Sequence, residues 1–245
     1  MRNIKLVVQY DGTAYAGFQV QPQARTIQGE LEKQCSAICG QPVRIIGAGR
    51  TDAGVHALGQ VVNVRTEGTV PTGSIPAALN SLLPDDIVVT AAEEVPEAFH
   101  AQRDAVGKVY RYTILNRDTP SAFLRDVAWH VPEPLDVDAM SRAGEGLVGE
   151  HDFSSFAASG GEAKSSVREV RRLDCRREGD LVRCDLEASG FLYKMARNIV
   201  GTLVQVGRGR LRAEQVGEIL AARDRSAAPA TAPPQGLCLL RVMFE

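Results

Sequence analysis

The sequence predicts an α+β fold: two similar α/β subdomains sharing a mixed, mostly antiparallel central sheet flanked by helices, with an active-site cleft between them. Three observations carry this. At 245 residues the chain exceeds one minimal domain and is comfortable for two small ones. Short strand-like runs interleave with helix-period segments instead of alternating strictly one to one. The two halves also repeat the same coarse outline, without a simple sequence repeat. The boundary falls near residues 102–107, giving an N-terminal subdomain at 1–105 and a C-terminal one at 106–245.

In the first half, Ile4 to Gln9 reads as a strand, followed by the turn-rich Tyr10-Asp11-Gly12-Thr13. Thr26 to Ile38 reads as a helix, with Thr26 as N-cap and Ile27, Leu31 and Ile38 on its apolar stripe. Strands are expected at Val43–Ala48, Leu58–Val64 and Ile87–Glu94, and a short helix with an early proline at Ser74–Leu83. In the second half, Val106–Leu115 and Asp126–Val131 read as strands and Asp136–Glu145 as a helix. Arg168–Cys175 and Leu181–Ala188 form a hairpin about Glu178-Gly179-Asp180. Helices at Leu192–Val206 and Ala213–Ala222, an Ala/Pro-rich connection at 226–236 and a closing strand at Leu237–Phe244 complete the chain.

Composition excludes several classes. Hydrophobic content of 44% and charged content of 24% are those of an ordinary globular protein. No apolar run reaches the ~20 residues that span a bilayer, and Met1 to Lys5 runs into a strand without a signal-peptide core. A cytoplasmic protein with no membrane partner is expected. The five cysteines form no CxxC and no Cys/His zinc spacing. Buried, reduced thiols are expected for all five, although Cys175 and Cys184 face each other across the hairpin. Net charge is −2, yet residues 161–212 hold twelve Lys and Arg against seven acids, a local +5. That excess suits either a polyanion site or a solvated face balanced by acids elsewhere.

The most informative stretch is Gly47-Ala-Gly-Arg-Thr-Asp-Ala-Gly-Val-His-Ala-Leu-Gly-Gln60, with one carboxylate, Asp52, among four glycines and beside Arg50. Glycine lets backbone approach a ligand closely, so an Asp on such a turn can face a cleft. Local turn hydrogen bonding is the competing reading for an isolated Gly-Asp turn. The stretch lacks the Gly-Lys-Ser/Thr ending of a P-loop and leads into a strand, which ranks a nucleotide-phosphate cradle last.

GAGRTDAGVHALGQ resembles the active-site signature of the tRNA pseudouridine synthase A family. YDGTAYAGFQVQP at 10–22, KVYRYTILN at 108–116, HDFSSF at 151–156, FLYKMARNIVG at 191–201 and TAPPQGLCLLRV at 231–242 follow in the family's order and cover nearly the whole chain. The resemblance implies isomerisation of uridine to pseudouridine in the tRNA anticodon arm, at nucleotides 38, 39 and 40. It implies no cofactor and no metal, because no external atom enters. It implies tRNA as partner, and a homodimer. By resemblance Asp52 is the catalytic carboxylate, as nucleophile or base, and Arg197 is the basic residue that keeps it ionised. Tyr110 stacks on the target uracil with a role in proton transfer, and Arg50 fills the gap left by the flipped base.

The residues themselves leave alternatives beside these roles. Arg197 is otherwise a surface arginine on an amphipathic helix, although Leu192, Met195, Ala196, Ile199, Val200 and Leu203 favour its partial burial. Lys108, Tyr110 and Tyr112 share one strand face, so Tyr112 is a second cleft candidate, and periodicity alone favours core or cross-strand packing for both tyrosines, whereas the resemblance favours Tyr110. The competing reading of Arg50 is a simple local ion pair with Asp52, worth little if exposed, and His56 fixes the loop by hydrogen bonding. Arg168, Arg171, Arg172, Lys194, Arg208 and Arg210 are candidates for phosphate contacts, which hold register without reading sequence. A structured-RNA binding module would need only this basic region and would tolerate loss of Asp52.

Overall fold

A computed structural model describes residues 1–161 and 163–245. The chain divides into two compact units, residues 1–106 with 239–245, and residues 107–238. Each is α+β, the class the sequence predicts. The last seven residues return to the first unit instead of staying with the segment that precedes them, because a closing strand can pair with any open sheet edge it reaches.

In the first unit β1 (Arg2–Tyr10) is central, with β3 (His56–Thr66) and β4 (Ile87–Val95) antiparallel on either side. The short β2 (Ile45–Gly47) also pairs antiparallel with β3. Alternation along β1 sends Ile4, Leu6, Val8 and Tyr10 to one buried face. On the other face Val7 joins Ala48, Val61, Phe99, Ala101, Val242 and Phe244 in a second cluster. Helix α1 (Ile27–Cys39) begins where expected: the Thr26 side chain accepts the Gly29 N–H, and Gly40 ends the helix in the left-handed conformation. The second helical segment is shorter than expected, a turn of 3₁₀ helix running into α2 (Ile75–Asn80).

The second unit is built on β5 (Ala105–Leu115), β8 (Val167–Glu178) and β9 (Leu181–Ala188), antiparallel in the order β5-β9-β8, with β7 (Gly149–Asp152) on the outer edge. The strand expected at 126–131 reduces to β6 (Trp129–His130), parallel to the end of β5. Helices α3 (Val137–Glu145), α4 (Met195–Gly207) and α5 (Glu214–Ala222) flank the sheet, with α3 packed on β8 and α4. Asp136 caps α3 by accepting the Ala139 N–H. Strand β10 (Leu237–Phe244) closes the chain beside β3.

The expectation of five reduced thiols is corrected: Cys175 and Cys184 are joined as a disulfide. The register of β8 and β9 sets them directly opposite, with Cα atoms 4.1 Å apart, a placement that pair spacing alone could not decide. Cys35 is buried on α1, and burial pushes its thiol up to about 12. No helix among the described residues is long and apolar enough to cross a membrane.

Candidate active site

The Asp52 loop joins β2 to β3, and its conformation is held by neighbours. The Thr51 hydroxyl meets the Tyr10 hydroxyl at 2.8 Å, and the Thr51 carbonyl accepts the Phe18 N–H at 3.0 Å. Gln60, fully buried, donates to the Gly49 carbonyl at 2.9 Å. The Asp52 carbonyl accepts the Val55 N–H at 3.1 Å, closing a turn through Gly54, whose φ is +76°. Thr51 and Val55 are buried, Asp52 between them is half-buried, and Arg50 is exposed.

Two glycines outside the motif make this possible. Gly17, at φ +103°, lies so close to the loop that a Cβ there would sit 2.8 Å from the Thr51 carbonyl oxygen. A Cβ at Gly12 would collide with the Val55 carbonyl. The Gly12 N–H donates to His56 Nδ1 at 3.1 Å, so His56 ties the Tyr10–Thr13 turn to the end of the loop, the positioning role the sequence suggests. Asp11 lies 3.1 Å from the same nitrogen. Burial pushes Asp11 up, but the Thr13 hydroxyl and N–H, with His56, outweigh it and hold the carboxyl below its ordinary value. The early YDGTAYAGF segment is thus the mould for the Asp52 loop, which the sequence showed only as a landmark.

In the second unit Tyr110 and Tyr112 lie on the same buried face of β5 but differ in surroundings. Tyr112 is fully buried and donates its hydroxyl to the Pro233 carbonyl at 2.7 Å. Burial pushes its phenol above the usual tyrosine range. It is a core residue, which removes it as a cleft candidate. Tyr110 packs its ring edge-on against Phe191 at 4.9 Å between centroids.

Arg197 sits in the first turn of α4, half-buried as its apolar neighbours suggest. Its Nε donates to the Ala232 carbonyl at 2.8 Å, and its own carbonyl accepts the Ala232 N–H at 3.2 Å. The next residue, Asn198, is fully buried. It accepts from Thr231 at 2.6 Å and donates to the Phe156 carbonyl at 2.7 Å. The Ala/Pro-rich segment is therefore a strap that fixes Arg197, a function its composition gave no sign of. A cation in the first helical turn opposes the helix dipole, and α4 has no acid in that turn to offset it. Lys194 precedes the helix at φ +59°, strained for a non-glycine residue, with its ammonium over the Tyr193 ring.

The basic region separates into two kinds of side chain. Arg171 pairs with Glu169 at 3.0 Å and Arg172 with Asp174 at 3.5 Å. Arg208 and Arg210 share Glu133 at 2.8 and 3.4 Å. Arg168 donates instead to the backbone carbonyls of Ser165 and Val167. Much of the local +5 is thus balanced by acids close in space, one of them 75 residues away. Among the described residues no group of three His, Cys, Asp or Glu side chains is placed to hold a metal ion.

The loop, the strap and the basic region can be set beside known proteins. A family model described as tRNA pseudouridine synthase matches residues 6–103 and 143–245. Proteins named tRNA pseudouridine synthase A from Thermoanaerobacter sp. (strain X514) and from Acetivibrio thermocellus are each 46% identical over 244 residues, covering 100% of both chains. One of the same name from Geobacter sp. (strain M21) is 47% identical over 245 residues, covering 100% of this chain and 99% of its own. The family model takes in the Asp52 loop, its mould and the Arg197 strap. Tyr110 lies between the two matched segments but inside the full-length relatives. With both segments matched and nearly half of all residues shared end to end, the chain belongs to the tRNA pseudouridine synthase family, whose members are isomerases.

Proposed function

We propose that this protein isomerises uridine to pseudouridine in the anticodon arm of tRNA, at nucleotides 38, 39 and 40, with Asp52 as the reacting carboxylate. The observation that carries the reading is the Asp52 loop: its backbone is clamped by Tyr10, Phe18 and Gln60, while the Asp52 side chain is left half-buried. A turn needed only for connection would not require two glycines from another segment to make room for it.

The reaction balances without an added reagent. The N1–C1′ bond of the uridine breaks, C5–C1′ forms, and the C5 proton leaves as N1 gains one. Asp52 acts as nucleophile or base on the ribose or base, for which it must be ionised. Arg197, fixed by the strap, supplies the counter-charge that keeps it so against desolvation. Tyr110 stacks on the uracil and assists proton transfer at C5. A base within a stem must leave the stack first, at a cost of about a few kcal/mol, and Arg50 fills the space it vacates. Arg168, Arg171, Arg172, Lys194, Arg208 and Arg210 remain candidates for the tRNA backbone, with those already paired to acids the weaker ones. A folded tRNA is large beside 245 residues, which supports a homodimer acting on it. Such a substrate places the enzyme in the cytoplasm.

The test is tritium release from tRNA carrying 5-tritiated uridine, with wild type, Asp52→Ala and Asp52→Asn. Wild type releases tritium, and both variants bind tRNA but lose on the order of 10²–10⁴-fold or more in rate. A wild-type protein that binds tRNA and releases none from any anticodon arm would leave only the RNA-binding module.

A further inference from the structure

Lys108 and Arg168 form a pair of cations with no acid partner among the described residues. Lys108 lies on β5 opposite Ala188 of β9, and Ala188 lies opposite Val170 of β8. Arg168 is two residues before Val170, so it projects from the same face as Lys108. Ala188 and Val170 are buried there, while Lys108 and Arg168 are half-buried at the margin of the face. Lys108 has no hydrogen bond or ion pair among the described residues. Arg168 spends Nη1 on the Ser165 and Val167 carbonyls, and its Nε and Nη2 have no hydrogen-bond partner among the described residues. Gly190 lies beside this edge: a Cβ built on it would be 3.5 Å from Arg168 Nε, so this position itself puts no side chain against the guanidinium.

Two like charges withdrawn from water beside each other are unfavourable unless an anion joins them. Burial first, then the Arg168 charge, holds the Lys108 ammonium below its ordinary value, and burial does the same to Arg168. Tyr110 is two residues along the strand from Lys108 on that face, about 6.6 Å at the usual rise per residue. A base stacked on Tyr110 and the phosphate of the same nucleotide therefore fall to neighbouring side chains.

We propose that Lys108 and Arg168 together form a phosphate site that grips the RNA backbone beside the nucleotide stacked on Tyr110. The guanidinium offers two donors in a plane and the ammonium a point charge from the side, a combination suited to a phosphodiester's two free oxygens. This rests on the pseudouridine synthase reading, and it distinguishes one pair of cations from the rest of the basic region.

The test uses the full chain and an anticodon-arm RNA carrying uridine at the target position. Lys108→Met fills the same buried volume without charge, and Lys108→Arg restores the charge. Lys108→Met is expected to weaken RNA binding about tenfold and to lower the slope of log affinity against log salt by about 0.7–0.9, with the loss in turnover falling on KM. Lys108→Arg recovers most of the affinity. Arg168→Gln behaves like Lys108→Met, and the double variant loses less than the two single losses combined.

A second arm needs no variant. A neutral methylphosphonate in place of the phosphate on either side of the target nucleotide weakens wild-type binding about tenfold at one of the two positions, and does not further weaken Lys108→Met. Unchanged affinity and salt slope in Lys108→Met, or no methylphosphonate effect on wild type, overturns the proposal. Protection of the pair by inorganic phosphate without any methylphosphonate effect assigns it to a free anion and overturns it equally. Tritium release by wild type is read in parallel: its absence defeats the isomerase reading, whereas the binding arms report on the phosphate site independently.

Discussion

The two faces of the β5-β9-β8 sheet treat charge in opposite ways. On one face Arg111 grips Asp185 through two hydrogen bonds of 2.7 and 2.8 Å, and Arg176 reaches the same carboxylate at 2.9 Å. Arg172 approaches Asp174 and Asp185, and Arg183 meets Glu178, so each of these cations has an acid. On the other face the facing residues are apolar apart from Arg177, which donates to Asn116 Oδ1 and the Leu135 carbonyl, and at the far margin Lys108 and Arg168 have no acid among the described residues. Counting charges along 161–212 would rank the first face as the polyanion site. The pairing reverses that order, because a cation already matched to a carboxylate has little left to offer a phosphate.

The largest effect that would break this contrast lies at Asp185, which is 2% exposed. Replacing it by Ala leaves Arg111 and Arg176 around a vacated site and is expected to cost about 3 kcal/mol, near the low end for breaking a buried pair because both arginines keep some solvent. Urea unfolding measures it, and a loss below about 1 kcal/mol would mean that solvent already screens the pair. The pH dependence has a definite sign. Burial pushes the Asp185 carboxyl up, but Arg111 and Arg176 outweigh burial and hold it below its ordinary value. The folded state therefore binds this proton less readily than the unfolded chain. The contribution is fully present above the unfolded value of about 3.9 and is lost as pH falls through the folded one. Asp185→Asn should flatten the acid limb of the stability curve below about pH 4.

The opposite face predicts an effect of opposite sign. A half-buried ammonium held below its ordinary value is a cost to the folded state while it stays charged. That cost fades as pH rises through the folded value towards the unfolded value of about 10.4. Lys108→Met should thus stabilise the protein at pH 7, by roughly 1 kcal/mol or about 2–4 °C in Tm at this chain length. The gain should shrink as pH approaches about 10. Calorimetry at pH 7 and pH 10 decides it. A variant that is more stable yet binds RNA less well would show a residue kept at the expense of stability, whereas loss of both would make Lys108 a packing residue.

What could be read from the sequence follows from how local each feature is. Thr26 was legible as a cap because a cap is completed within three residues, whereas Asp136 was read only as the start of its helix. The Asp52 loop was legible because its glycines and its carboxylate are contiguous. Gly149–Asp152 was not read as a strand, since Gly-Glu-His-Asp has no strand pattern and pairs only because β8 offers an open edge. The Cys175–Cys184 bond required the hairpin register, and a one-residue slip would have turned the two thiols to opposite faces. Lys108 was placed on the correct strand face beside Tyr110 and Tyr112, but its want of an acid among the described residues depends on which carboxylates fold nearby, and that is not written in residues 106–115. The same holds for Arg208 and Arg210, which sit in an acid-free stretch of sequence and find Glu133 in space.

Those two arginines supply the smallest and most discriminating expectation. Arg210 lies 3.4 Å from Glu133, which it shares with Arg208, and is largely exposed, so solvent screening leaves that ion pair little to contribute to stability. Arg210→Gln should leave the urea midpoint nearly where it was and change RNA affinity by less than about threefold, with the salt slope within experimental error of wild type. The same substitution at Arg168 removes a charge that no carboxylate among the described residues has claimed, and it should move both affinity and slope. If Arg210→Gln instead lowers the slope as far as Arg168→Gln does, RNA draws Arg210 away from Glu133 on binding. Pairing in the absence of RNA would then be no guide to which arginines it contacts. A Glu133→Gln variant separates these cases, since releasing Arg210 should raise RNA affinity if the acid competes with phosphate and leave it unchanged if Arg210 faces only water.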